Sequence, residues 1–390
     1  MRKALVVGGN SGIGLAITLN LLERNYEHVY IVGKDEPQLK DIPLNYKDLF
    51  LQKTTFTKVN LVLEDYKIFN SICDIDTLVI TAGFGRVASF DELKEVEITN
   101  LIKCNFLSIV RIIKHYYERL KNENPFYCAV MGSIAGHLVS PLFSVYGASK
   151  AGLCQAIENL NIELASQGYQ NRILDVSPGS LKGTNFNGAG NDINLLFETA
   201  NSIVEQMYQR NTLYIPQYEE IYKKVLNRYK DDPFEYGMES YEYKLKSGRL
   251  SNKPQVTVGY LSGTFDLFHI GHLNLLKRAK EYCDYLIVGV HKSGAWKGKE
   301  TYISFEERKE IVGSIKYVDR VIESYLEDSD AYDELKFDKL FVGSDYKGTE
   351  RFLRYEEYFK TKGVEIIYFP YTMSTSSTQL RAAINARIKD

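Results

Sequence analysis

Residues 4–14 read Ala4-Leu5-Val6-Val7-Gly8-Gly9-Asn10-Ser11-Gly12-Ile13-Gly14, and their interpretation decides the fold of the N-terminal half. The four apolar residues predict a buried strand, and residues 12–24 repeat apolar side chains at helical spacing through Ile13, Ala16, Ile17 and Leu21. Between strand and helix the glycines permit a tight turn, where backbone N–H groups at the helix start can receive a pyrophosphate. Outward from this turn, residues 28–32, 77–80, 126–131 and 212–215 read as further strands separated by helices, and 218–229 reads as helical. That alternation is the pattern of a parallel sheet covered by helices. Residues 231–254, with Asp231-Asp232-Pro233, Gly237 and Gly248, lose the apolar period and read as a linker. A second alternating series follows, with strands at 256–261, 285–290, 339–342 and 365–369 and a helix at 273–282. The expected architecture is α/β: two Rossmann-like doubly wound parallel-sheet domains, 1–230 and 255–390, joined by the linker.

Composition bounds the function. The chain has 390 residues, 44% hydrophobic and 25% charged, with a formal net charge of -2, so it lacks the basic excess of a protein that grips nucleic acid. Its five cysteines (Cys73, Cys104, Cys128, Cys154, Cys283) are far apart, with no C-x-x-C and no Cys/His cluster, which argues against a disulfide framework or a zinc site and fits a reducing cytoplasm. No apolar run approaches the ~20 residues of a membrane helix, and Met1-Arg2-Lys3 leads straight into the first strand, so neither a signal peptide nor a membrane partner is expected.

Tyr146-Gly147-Ala148-Ser149-Lys150 places a phenol and an ammonium four residues apart, on one face of a helix, where the cation is expected to lower the phenol pKa. Such a phenol can pass a proton to a carbonyl oxygen while hydride arrives at carbon, and Ser133 is placed to polarise the same carbonyl. With the G-x-x-x-G-x-G turn and Thr81-Ala82-Gly83 after a strand, residues 1–230 resemble the short-chain dehydrogenase/reductase family. The resemblance implies that Tyr146 donates the proton, that Lys150 also contacts the nicotinamide ribose, and that Asn105 holds a proton-relay water. It implies cofactor contacts from Gly8, Asn10, Ser11, Gly12, Ile13, Gly14, Ala82 and Gly83, and a turn over the nicotinamide from Pro178, Gly179 and Thr184. Val7 and Thr81 depart from the family's usual threonine and asparagine. At the end of the second strand Lys34 favours NADPH, whereas Asp35 leaves NADH open.

Two of the six histidines fall in Gly263-Thr264-Phe265-Asp266-Leu267-Phe268-His269-Ile270-Gly271-His272, after a strand and before a helix. Imidazoles there can donate hydrogen bonds to triphosphate oxygens and stabilise charge during nucleotidyl transfer. The H-I-G-H tetrad is shared by class I aminoacyl-tRNA synthetases and small nucleotidyltransferases, but Thr372-Met373-Ser374-Thr375-Ser376 lacks both lysines of the synthetase loop. Residues 255–385 resemble glycerol-3-phosphate cytidylyltransferase and its relatives. That resemblance implies phosphate binding by His269, His272, Lys297 and Lys299, with Lys299 also catalytic, and nucleotide or acceptor contacts from Gly263, Thr264, Phe265, Arg308, Gly343, Asp345, Lys347, Ser376, Ser377 and Thr378. Mg2+ is expected with the triphosphate, although no metal-ligating residues are assigned. Tyr371 and Gln379 replace two basic family residues, and Arg381 is expected to compensate for one.

Together the two resemblances imply a bifunctional enzyme that reduces a sugar phosphate to an alditol phosphate and then uses CTP to make a CDP-alditol for surface polymers. A homo-oligomer is expected by analogy alone. Two alternatives are an adenylyltransferase fused to a nicotinamide-dependent domain, and a nucleotidyltransferase carrying a non-catalytic dimerising module.

Overall fold

The computed structural model describes residues 2–63, 66–187, 190–248, 250, 256–293, 300–370 and 379–381. The chain divides into two compact units, Met1–Pro254 and Gln255–Asp390. In the first, β1 (Lys3–Val7), β2 (His28–Gly33), β3 (Thr54–Lys58), β4 (Thr77–Ile80), β5 (Tyr127–Met131), β6 (Ile173–Val176) and β7 (Leu213–Tyr214) form one parallel sheet in the order β3-β2-β1-β4-β5-β6-β7. The strand order reverses once, between β1 and β4, and an open parallel sheet presents its ligand crevice at the carboxyl ends of the strands flanking such a reversal.

Buried strands explain the apolar runs, since a parallel sheet is covered on both faces. The helix Gly12–Glu23 is buried along nearly its whole length because it is packed between the sheet and the helix Ile193–Tyr208, with Leu15, Leu19 and Leu22 sharing a core with Ile203, Val204 and Met207. The opposite face is filled by Ile109, Ile112 and Ile113 from one helix and Leu153, Ile157 and Leu164 from another.

In the second unit β8 (Val258–Gly263), β9 (Tyr285–Val290), β10 (Arg320–Glu323), β11 (Lys339–Gly343) and β12 (Glu365–Phe369) form a parallel sheet in the order β10-β9-β8-β11-β12. Its reversal lies between β8 and β11. Those strands pair only through Gly259 with Lys339 and Tyr260 with Leu340, and part beyond. Both sheets are thus parallel and doubly wound, as expected.

Three strands escaped the sequence pattern. β3 and β10 are edge strands of mixed polarity with half-exposed residues, and β6 carries Asp175 inside an otherwise apolar run. The stretch 231–254, read as a linker, contains the helix Pro233–Lys246. Asp232 and Pro233, taken as loop signals, are its N-cap and first residue: the Asp232 carboxylate accepts from the N–H groups of Phe234 and Glu235 at 3.0 and 2.9 Å. The helix belongs to the N-terminal unit, where the Lys244 ammonium donates to Ser140 Oγ and the Pro141 carbonyl, both at 2.7 Å. Among the described residues no helix is long and apolar enough to cross a membrane. Asp232→Ala is expected to destabilise this helix by about 1 kcal/mol, read as faster amide exchange over its first two turns.

Candidate active sites

At the carboxyl end of β1 the backbone is packed against itself. Gly8 has φ +90° and Gly12 φ +51°, and the Gly8 N–H donates to the Val32 carbonyl at 2.7 Å. A Cβ on Gly14 would lie 2.1 Å from the Gly8 carbonyl oxygen and 2.4 Å from Thr81 Oγ1. Only glycine fits, and the departure at Thr81 is absorbed because its hydroxyl donates to the Val7 carbonyl at 3.3 Å. The Asn10 amide lies over Gly33 at the end of β2, immediately before the exposed Lys34. A Cβ on Gly12 would meet Thr184 Cγ2 at 3.8 Å, so the segment after Pro178 and Gly179 lies beside the glycine turn. These are the features of a pocket that takes a dinucleotide by backbone approach.

Ser133 follows β5 and caps a short turn, accepting from the Ala135 N–H at 3.2 Å. The helix Ser144–Ser166 brings Tyr146 and Lys150 onto the same face, and both are buried. The Tyr146 phenol is hydrogen-bonded to Ser133, and its ring packs against Phe143 and Phe186 at 5.0 and 5.4 Å between centroids. Lys150 Nζ donates to the Met131 carbonyl at 2.8 Å, 5.9 Å from the phenol ring centroid. Asn105 lies on a one-turn π-helix, Lys103–Leu107, a distortion frequent at functional sites. Its amide closes a two-way bond with Phe84, accepting from the N–H at 3.0 Å and donating to the carbonyl at 2.7 Å. A Cβ on Gly83 would stand 3.2 Å from Asn105 Oδ1 and 3.4 Å from Lys150 Nζ, so Gly83, Asn105 and Lys150 converge.

The expected electrostatics are corrected here. Burial, not the ammonium, governs the phenol: Tyr146 is pushed up to about 12, with the Ser133 hydroxyl pulling the other way. The same burial brings Lys150 down to about 8. A phenol that holds its proton at neutral pH suits a donor to a carbonyl oxygen.

Behind Ser133 stands a polar hub with no counterpart in the sequence reading. Ser177 Oγ accepts from the Ser133 N–H at 3.1 Å, donates to Asp175 Oδ1 at 2.8 Å and lies 3.0 Å from His137 Nε2. His137, Cys154 and Asp175 offer ligand atoms within 4.8 Å of one another, and the Ser177 hydroxyl is bonded among them. Asp175 and Cys154 push His137 up to about 10, so its ring is cationic at neutral pH and donates to the hydroxyl. The one signal available in sequence was Asp175 itself, a charge within a buried strand.

In the second unit Phe265 and Leu267 take positive φ values of 54° and 50°, a conformation worth of order 1–3 kcal/mol of strain each that concentrates at functional loops. This loop delivers His269 as the N-cap of the helix Ile270–Glu281, where its Nδ1 accepts from the Gly271 N–H at 3.0 Å. A neutral ring so bonded carries its hydrogen on Nε2, and burial lowers the His269 pKa, favouring that neutral form. The His269 and His272 rings stack at 4.0 Å between centroids. Gly263 ends β8 and Gly343 ends β11, on either side of the crevice, with Thr264 in the following turn and the exposed Asp345 and Lys347 beyond β11; Lys347 lies over the Tyr368 ring at 5.4 Å.

Two expectations are corrected. Arg308 is fully buried and donates to four carbonyls, those of Ile303, Thr264, His291 and Lys292, so it braces the histidine loop from behind instead of meeting phosphate. Arg381 does not stand in for a missing phosphate contact: it is paired at 2.5 Å with Asp266, whose carboxylate is 3% exposed and requires a cation. Asp266, absent from the expected site residues, also accepts from the N–H groups of Tyr302 and Ile303, at 3.1 and 3.0 Å through Oδ1. Lys297, Lys299, Tyr371, Ser376, Ser377 and Thr378 lie outside the described residues.

Comparison with known proteins agrees with this division. Residues 2–193 match the short chain dehydrogenase family model and residues 260–383 the cytidylyltransferase-like model. A glycerol-3-phosphate cytidylyltransferase of Bacillus spizizenii is 40% identical over 126 residues, covering 30% of this chain and 90% of the relative. Carbonyl reductase family member 4 of Xenopus tropicalis is 28% identical over 175 residues, covering 45% of this chain and 73% of the relative. A solved short-chain dehydrogenase from Streptomyces avermitilis shares 20% identity at a TM-score of 0.49, over 63% of this chain and 98% of that one.

The hub has a pH signature. Because folding raises His137 from 6.5 to about 10, its stabilisation is complete below about pH 6.5 and is lost as pH rises through about 10. Lys150, lowered from 10.5 to about 8, acts with the opposite sign above about pH 8, and His28, lowered by burial, does so around its ordinary value of 6.5, so the interval between those two reports on His137. In that window the urea midpoint of the N-terminal unit is expected to fall with pH, and His137→Gln to flatten the slope.

Proposed function

Because the chain joins a short-chain dehydrogenase/reductase domain to a cytidylyltransferase-like domain, we propose that it reduces a sugar phosphate to an alditol phosphate and then couples that product to CTP. The observation that carries this reading is the presence, on one chain, of a buried phenol hydrogen-bonded to the serine that follows β5 and, in the other unit, of an imidazole that caps a helix and stacks on a second imidazole.

A nicotinamide held at the glycine turn would supply hydride to the carbonyl carbon. Ser133 and Tyr146 hold the carbonyl oxygen, and Tyr146, protonated up to about 12, transfers its proton to it. The Lys150 ammonium orients the ribose and offsets the negative charge left on the phenol. Lys34, beside Asn10 at the end of β2, is suited to the additional phosphate of NADPH. The hub of Ser177, Asp175 and His137 fixes the main chain of Ser133.

In the second step a phosphate oxygen of the alditol phosphate attacks the α-phosphorus of CTP, forming a P–O–P bond as pyrophosphate leaves. The His269 Nε2–H and the N–H groups at the start of Ile270–Glu281 face the accumulating charge. Mg2+ would neutralise the triphosphate. Joining both activities on one chain raises the effective concentration of the intermediate at the second site.

The first test is NADPH oxidation with a panel of C3 to C6 ketose and aldose phosphates, followed by CTP and Mg2+ in the same tube. One sugar phosphate is expected to drive oxidation, and its product to release pyrophosphate; oxidation by none of them would sink the reductase half. Tyr146→Phe should lower reduction roughly a thousandfold and leave cytidylyl transfer intact, while His269→Ala should lower transfer roughly a hundredfold and spare reduction. With Lys150 near 8, kcat for reduction is expected to fall as pH rises through about 8, well before Tyr146 loses its proton.

A further inference from the structure

The phenol ring of Tyr146 lies between two loops of the N-terminal unit. The loop after β4 comes so close that a Cβ on Gly85 would stand 2.5 Å from Tyr146 Cδ2. The loop after β5 ends in Phe143, whose ring centroid is 5.0 Å from that of Tyr146. Phe143 is also the N-cap of the helix Ser144–Ser166, in which Tyr146 falls in the first turn. A shift of the turn before Phe143 is therefore carried directly to the phenol.

That turn is held from outside itself. Leu142 has φ +63°, a backbone region that is unfavourable for a residue with a side chain and persists where the surroundings fix it. On one side the Leu142 carbonyl accepts from the Ala88 N–H at 2.9 Å, which ties the two loops together. The loop after β4 is anchored in turn by Arg86, whose Nε and Nη2 donate to the two carboxylate oxygens of the buried Glu97 at 2.8 and 3.0 Å.

On the other side stands the stretch that follows Asp232. The buried Lys244 ammonium donates to Ser140 Oγ and the Pro141 carbonyl, both at 2.7 Å, and lies 5.3 Å from the centroid of the Phe143 ring. Earlier in the same helix, a Cβ on Gly237 would meet Val139 Cγ2 at 3.5 Å, and beyond the helix Leu250 pairs with Val87 in an isolated parallel bridge. A segment that carries none of the residues of the reductase pattern thus grips both loops that enclose the phenol.

Burying an ammonium is costly unless acceptors meet it, and here two acceptors belong to the turn that precedes Phe143. The charge also attracts the face of the Phe143 ring, which an uncharged stem of similar length would not do. We propose that Lys244 is a positioning residue of the reductase: by fixing Ser140, Pro141 and the Phe143 ring, it holds the Tyr146 phenol against the carbonyl that Ser133 polarises. This inference rests on the reductase reading of the first unit.

The test uses the full chain and the sugar phosphate that drives NADPH oxidation. Lys244→Met keeps the stem and removes the ammonium. It is expected to lower kcat for reduction roughly tenfold to a hundredfold, with the Kd for NADPH, read by quenching of protein fluorescence, and the rate of cytidylyl transfer unchanged. Ser140→Ala, which deletes one acceptor, should give a smaller loss of the same kind. Phe143→Leu should also lower kcat, and its combination with Lys244→Met should be little worse than the poorer single variant, because both act on one contact. The solvent deuterium isotope effect on kcat should rise in these variants, since a displaced phenol slows proton transfer; a lysine that only stabilised the fold would leave it unmoved. An unchanged kcat in Lys244→Met, weakened NADPH binding without a loss of kcat, or losses that multiply in the double variant would each overturn this inference and leave the reductase reading intact. Failure of every sugar phosphate to drive NADPH oxidation by the wild type would overturn that reading and this inference with it.

Discussion

In both units every strand runs in one direction, so the turns that follow the strands collect along a single edge of the sheet. A single reversal of strand order then parts the neighbouring turns and opens a crevice. The candidate site groups depend on this geometry. Ser133 follows β5 and the glycine turn follows β1, while the histidine loop follows β8 and Asp345 follows β11. At the first reversal the constraint is steric to within tenths of an ångström, because Gly14 lies against the Gly8 carbonyl with no room for a Cβ.

Burial, more than any pairwise charge, tunes the proton affinities at these edges. It keeps the Tyr146 phenol protonated and brings the Lys150 ammonium close to neutral pH. His137 moves oppositely, because Asp175 and Cys154 outweigh its desolvation, whereas burial lowers His269. Two histidines in one chain are thus pushed in opposite directions, His137 toward the cation beside Ser177 and His269 toward the neutral ring.

Several charged residues of the second unit serve the scaffold. Arg308 ties the end of β8 to the segment after β9, and the pair with Asp266 holds Arg381 against the same loop. This bracing accompanies the positive φ of Phe265 and Leu267 in the loop that carries His269.

Local chemistry was legible in the sequence. The apolar runs of β1 and β4, the glycine turn, the Tyr146 and Lys150 pair and the histidine loop depend on neighbours a few residues away, and their spacing carries their meaning. Edge strands β3 and β10 left little pattern because one side of each faces solvent, and Asp232-Pro233 served equally as a loop signal and a helix start. Tertiary structure alone decided the roles of long-range polar groups. Ser177 meets Ser133 across 44 residues, Arg308 reaches Thr264 across 44, and Asp328 meets Ser262 across 66. Whether an arginine braces a loop or binds phosphate, and whether a buried carboxylate is met by a hydroxyl or by a cation, is set by which distant groups the fold brings beside it and by how much water it removes.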